Sequence, residues 1–116
     1  MMLFQEIKEF AAEIIREEFA IAGISIIQII LFGSQSRGDA GPDSDWDFLV
    51  CVKDELSFPE KAIISSKIQT RLAEKLISAD VIIKSEAKLT QERCNVGVIT
   101  YYALKDGVSI YERRNR

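Results

Sequence analysis

Histidine is absent from the sequence, and that absence removes the usual general base near neutral pH, the Ser-His-Asp and Cys-His nucleophile systems and most zinc sites. Acid–base chemistry is left to carboxylates. Cysteine is scarce: Cys51 and Cys94 lie far apart with no CxxC spacing, which supports neither a metal site nor a disulfide framework and predicts two reduced core thiols. Positive charge is not in excess. Lys and Arg number 15 against 18 Asp and Glu, a net charge of −3, so nucleic acid is not expected as a direct partner. No apolar run approaches a membrane span, and MMLFQEIKEF is charged within a helical pattern rather than shaped as a signal peptide. The expected compartment is the cytoplasm. Repeats, low-complexity tracts and linkers are missing too, so residues 1–116 read as a single domain with no room for a separate acceptor-binding domain.

What is present is an alternation of helical and strand patterns. Leu3, Ile7, Phe10 and Ile14 recur at helical spacing with Glu6, Glu9, Glu13 and Glu17 between them, predicting an amphipathic helix over 3–21 that ends at Gly23. ISIIQIILF, residues 24–32, is β-branched and almost uniformly apolar, the pattern of a central strand buried on both faces. Its one polar interruption is Gln28. After turn chemistry at Gly38, Gly41, Pro42 and Ser44 comes a second strand, DWDFLVCV. Ser57 with Glu60 three residues on and Pro59 in the first turn form a capping-box signature for a helix over about 59–77, striped by Ile64, Ile68, Leu72 and Leu76. ADVIIK, residues 79–84, predicts a third strand. Residues 88–105 predict helix weakened around Asn95 to Gly97, followed by a turn at Asp106 and Gly107 and an edge strand, VSIYE. The expected fold class is α/β (α+β): a small mixed sheet with helices packed mainly on one face.

Chemistry concentrates in LFGSQSRGDAGPDSDWDFLV, residues 31–50. On a strand, side chains at i and i+2 share a face, so Asp45 and Asp47 project together while Trp46 and Phe48 point to the other side, into the core. Two like charges so placed repel, and divalent cations are the natural answer; oxygen-only ligands favour magnesium or manganese. The competing reading makes both aspartates exposed turn residues. Gly33 lets backbone N–H groups approach an anion, and Ser34 is placed to cap the next helical turn and to donate to a phosphate oxygen. This is not a Walker loop, because the GxxxxGK[ST] lysine and spacing are absent. Gly33 alone would otherwise be a tight turn.

GSQSRGDAGPDSDWDF, residues 33–48, resembles the signature of the minimal nucleotidyltransferases in the DNA polymerase beta superfamily, a GSxxRG turn followed by SDxD. The match fixes Gly33, Ser34, Arg37, Gly38, Ser44, Asp45 and Asp47. That family carries a third carboxylate on a later strand, and Asp80 in SADVIIK stands at the matching place; taken alone, Asp80 could be a strand-edge or helix-stop charge. The resemblance implies a polymerase-beta-like core that transfers AMP from ATP to a hydroxyl and releases pyrophosphate. Asp45, Asp47 and Asp80 would be the catalytic and metal-binding residues around two magnesium ions, with Asp80 able to accept the hydroxyl proton. Gly33, Ser34, Arg37 and Ser44 would be the nucleotide-binding residues. Arg37 either pairs with a nearby carboxylate or contacts the nucleotide.

Stand-alone members of the family resemble antitoxins paired with HEPN-domain toxins. The resemblance thus implies a HEPN toxin partner, a hetero- or homo-oligomer, and a tyrosine hydroxyl as acceptor. Two alternatives stay open: a non-catalytic antitoxin that binds its toxin, and a small-molecule nucleotidyltransferase with an antibiotic-like acceptor. Asp39 and Asp43, the basic stripe Lys67, Arg71 and Lys75, and the tail Arg113, Arg114 and Arg116 read as solvated charge.

Overall fold

A strand with almost no polar side chain must be covered on both sides, and that requirement organises the molecule. The computed structural model describes residues 2–38, 40–41 and 44–113; Asp39, Pro42, Asp43, Arg114 and Arg116 lie outside the described residues. The chain runs α1 (Phe4–Ile21), β1 (Ile26–Phe32), α2 (Ser34–Arg37), β2 (Trp46–Val52), α3 (Phe58–Ala73), β3 (Ala79–Ser85), α4 (Glu86–Glu92), α5 (Ile99–Asp106) and β4 (Val108–Glu112). The sheet order is β3-β2-β1-β4. β1 pairs antiparallel with β2 and β4, while β2 and β3 are parallel, so the sheet is mixed and β4 is an edge strand, as the sequence pattern predicts. Gln28 interrupts β1 because its amide donates sideways to Ser109 Oγ and Glu112 Oε1 of β4, each at 3.1 Å.

The alternation of β2 sorts its side chains into two layers. Trp46, Phe48, Val50 and Val52 join Ile29 and Leu31 in the main core beneath α1 and α3, with Ala11, Ile15, Phe19, Ile64, Ile68 and Leu72 filling the other side. Leu49 faces the opposite way and packs with Ile30, Phe32 and Ala103 in a smaller cluster under α4 and α5. The long helices thus occupy one face and two short ones the other. Glu92 ties the short pair together, accepting from Thr100 Oγ1 at 2.8 Å and pairing with Lys84 on β3 at 3.2 Å. The free edge of β3 is covered by α3, from which Gln69 Nε2 donates to Ala79 O at 2.9 Å and Ser65 Oγ to Val81 O.

Several expectations are corrected. The strand starts at Ile26 rather than residue 24. Leu3 is not core: it is the N-cap of α1, 71% exposed, with its N–H donating to Glu6 Oε1. α3 begins at the expected capping box, where Ser57 Oγ accepts from Glu60 N and Glu60 Oε1 from Ser57 N, but it ends at Ala73, four residues before the expected limit. Leu76 therefore leaves the apolar stripe. It takes φ 61° and stands 95% exposed, while Ile77 turns inward.

The geometry is a Schellman motif, with Leu76 N donating to Ala73 O and Ile77 N to Leu72 O. α1 ends with the same pair of bonds, Gly23 N to Ala20 O and Ile24 N to Phe19 O, and there the left-handed position is a glycine. Cys51 is buried as expected, but Cys94 is exposed because it falls in the break between α4 and α5. Arg71 is not part of a solvated stripe: its two guanidinium nitrogens each reach α1 at 2.8 Å, one to Glu17 and one to Glu18.

Candidate active site

The carboxylates gather where β1 ends and β2 and β3 begin. Phe32 pairs with Asp47 across the antiparallel ladder, and Asp47 pairs with Asp80 across the parallel one. Residues in register point to the same side of a sheet, so Asp47 and Asp80 lie side by side on the face shared with Leu49, away from the main core. Asp45, two residues before Asp47, belongs to the same side. Trp46, between them, is buried on the opposite face and stacks at 5.0 Å on Phe4. Asp45 and Asp80 are exposed and Asp47 is half-buried.

Asp47 feels this crowding. Its carboxyl is held above the ordinary carboxylate range, first by burial, then by the charges of Asp80 and Asp45; the Arg37 guanidinium opposes the shift. Arg37 thus lies near enough to lower the cost of charge on Asp47.

Gly33 closes the other side of Asp47. Its backbone, at φ 78° and ψ −161°, is a conformation that essentially only glycine adopts. A Cβ built on Gly33 would overlap Asp47 Oδ2. The residue is therefore glycine for two independent reasons, strain and contact.

Gly33 is also the N-cap of α2, and Ser34 is the first residue inside it, which corrects the expectation that Ser34 caps the turn. The carbonyl of Gly33 accepts from Ser36 N at 3.1 Å, Arg37 N at 3.2 Å and Ser36 Oγ at 2.9 Å, pinning the turn from within. Gly38 ends α2 in the left-handed region. Ser44 stitches the following loop: its Oγ accepts from Gly41 N at 2.9 Å, and its carbonyl accepts from Gln35 Nε2 at 3.2 Å.

Two side chains here carry no signal in a single sequence. Gln35 ties α2 to the residue preceding Asp45. Ser78, at the mouth of β3, donates from Oγ to Asp45 Oδ1 at 2.6 Å. Its partner is 33 residues away in the chain, and only the β2–β3 pairing brings the two together.

Among the described residues no three acidic or cysteine side chains converge closely enough, as they lie, to cage a metal ion. The donor chemistry of Asp45, Asp47 and Asp80 still fits a hard divalent cation: all ligands are oxygens, and the like charges of Asp80 and Asp45, which add to burial in raising the Asp47 carboxyl, are what such a cation would offset. A cavity of about 650 Å³ between α1 and β4, lined in part by Lys8, Glu13, Arg16 and Ile110, touches none of these carboxylates. Among the described residues no helix is long and apolar enough to cross a membrane.

A four-stranded mixed sheet with a glycine turn pressed against carboxylates on adjacent strands is the layout of a nucleotidyltransferase core. The family model for Polymerase beta, Nucleotidyltransferase matches residues 9–116, and the chain belongs to that family. A comparison with curated protein sequences found no match. Among solved structures, a double Asp-to-Glu mutant of the MntA–HpeT toxin–antitoxin is similar at 18% identity and TM-score 0.66, over 92% of this chain and 74% of that one. A toxin–antitoxin with AMP-PNP gives 22% identity and TM-score 0.60, over 88% and 73%. The tri-AMPylated HEPN toxin of Shewanella oneidensis in complex with its MNT antitoxin gives 17% and 0.63, over 96% and 74%. At these identities the likeness is one of fold.

Proposed function

We propose that this chain acts as a single minimal nucleotidyltransferase domain over residues 1–116, an antitoxin in the cytoplasm that transfers AMP from ATP to a tyrosine hydroxyl of a HEPN-domain toxin. The observation that carries the reading is the register of Asp47 and Asp80, with Asp45 on the same face and Gly33 packed against Asp47. The family membership supports the reaction class. The partner is suggested by the similar structures, of toxin–antitoxin assemblies, one of them AMPylated.

The residues divide the work. Gly33, with no side chain, lets backbone approach the β and γ phosphates, and Ser34 Oγ donates to a phosphate oxygen. Arg37 adds positive charge on the same side, and Ser44, bonded to Gly41 and Gln35, borders the nucleotide next to Asp45. Asp45, Asp47 and Asp80 would hold magnesium, two ions with manganese as a substitute, which supply charge neutralisation on the triphosphate and a lowered pKa for the attacking hydroxyl. Asp80, exposed at the start of β3, faces the acceptor and takes the hydroxyl proton. The tyrosine oxygen bonds to the α-phosphorus, the bond from that phosphorus to the β-bridging oxygen breaks, and pyrophosphate leaves.

Labelled ATP tests the reaction. With magnesium and the partner protein, label in the α-phosphate should pass to the partner while label in the γ-phosphate should not. Transfer of the γ label, or of neither, contradicts the assignment.

A further inference from the structure

Ser78 lies outside the GSxxRG and SDxD pattern, yet it holds that pattern's first aspartate. Its Oγ donates to Asp45 Oδ1 at 2.6 Å, within the short range of hydrogen bonds to a charged acceptor. Its carbonyl accepts from Trp46 N at 2.9 Å. Ser78 therefore grips the entry to β2 twice, at the Asp45 side chain and at the next backbone N–H. The parallel register produces this: Trp46 opposes Ala79 and Asp47 opposes Asp80, and one step back sets Asp45 beside Ser78. Both residues are exposed, so neither is needed to fill the core.

We propose that Ser78 is a positioning residue for the cation site: by occupying Oδ1 of Asp45 it leaves Oδ2 as the oxygen presented beside Asp47 and Asp80. The inference rests on the reading of those three carboxylates as a cation site given above. An exposed aspartate at a strand entrance rotates freely about two side-chain torsions, and ordering it on binding costs affinity. A strong hydrogen bond formed beforehand removes that freedom. Partners that orient ligating carboxylates in this way typically contribute about 10–100-fold to metal affinity.

The test titrates Mn²⁺ alone into the protein and counts the free ion by electron paramagnetic resonance, with thermal unfolding measured in parallel. Ser78→Ala keeps the main-chain bond to Trp46 and should weaken Mn²⁺ binding by roughly 10–100-fold at an unchanged Tm. Ser78→Thr should restore affinity, and Ser78→Val, matched to threonine in shape, should not. In the Asp45→Ala background, Ser78→Ala should have no further effect, because Ser78 acts through Asp45. Wild-type affinity in Ser78→Ala and Ser78→Val, with Asp45→Ala still weakened, overturns the positioning role and leaves the cation site standing. Equal Mn²⁺ binding by wild type and Asp45→Ala overturns the cation site and the inference together.

Discussion

Asp47 and Asp80 are direct partners in the parallel ladder between β2 and β3, two carboxylates side by side on one face with no intervening residue. Folding brings them there against their mutual repulsion, and the Asp47 carboxyl is held above the ordinary range first by its burial and then by the Asp80 charge. A sheet built only for stability would place an apolar or oppositely charged pair at that position.

Removing the Asp47 charge should stabilise the fold. The native pKa of Asp47 is raised above its ordinary value, so the native state binds this proton more tightly than the unfolded chain, and stability is lost as pH rises from the ordinary carboxylate range through the raised value. Asp47→Asn should therefore melt higher than wild type at neutral pH. The difference should shrink as pH falls below the ordinary carboxylate range. Thermal unfolding across pH, with nucleotidyl transfer assayed alongside, checks both the gain in stability and the loss of activity.

Gly33→Ala should do the reverse. Its backbone angles and the overlap with Asp47 Oδ2 leave a methyl group nowhere to go, and strain of this kind costs on the order of 1–3 kcal/mol. Urea unfolding should show that loss, and transfer should fall because Asp47 must move.

Leu76 should be replaceable at a profit in stability. It fills the left-handed position of the Schellman motif that glycine fills at the end of α1, and it is almost wholly exposed. Leu76→Gly should raise stability by about 1 kcal/mol, the usual cost of a left-handed non-glycine residue. Leu76→Ile, β-branched, should lower it.

Glu92 should prove to be the pin of the smaller layer. Thr100 is fully buried and gives its hydroxyl to Glu92, so Glu92→Ala leaves a buried donor unpaired, at about 1–3 kcal/mol. Hydrogen exchange should then quicken in α4 and α5 while α1 and α3 stay protected.

The parts of the fold carried by local pattern were readable. The apolar run of β1 had to be central, Ser57 with Glu60 had to start α3, and the polar, glycine-containing segment 95–97 had to break the last helical region. The convergence of Asp45 and Asp47 was equally local, a matter of strand alternation. What escaped depends on backbone termination and distant pairing. The helical spacing runs on through Leu76, and only the competing Schellman bonds to Leu72 and Ala73 turn it outward. Arg71 looks like one of three solvated cations until α1 lies beside it with Glu17 and Glu18. Ser34 looks like a cap because serine usually is one, but the close approach of Asp47 reserves that position for Gly33. Ser78 is an ordinary serine in sequence, and its role exists only once β2 and β3 pair.

The intact mass of the proposed HEPN-domain partner after incubation with ATP, magnesium and this protein tests the transfer most directly. The partner should gain one or more AMP units on tyrosine with wild type, and none with Asp45→Ala, Asp47→Asn or Asp80→Asn, each shown to be folded. A partner silenced without any gain in mass, equally well by wild type and by the three variants, would contradict it.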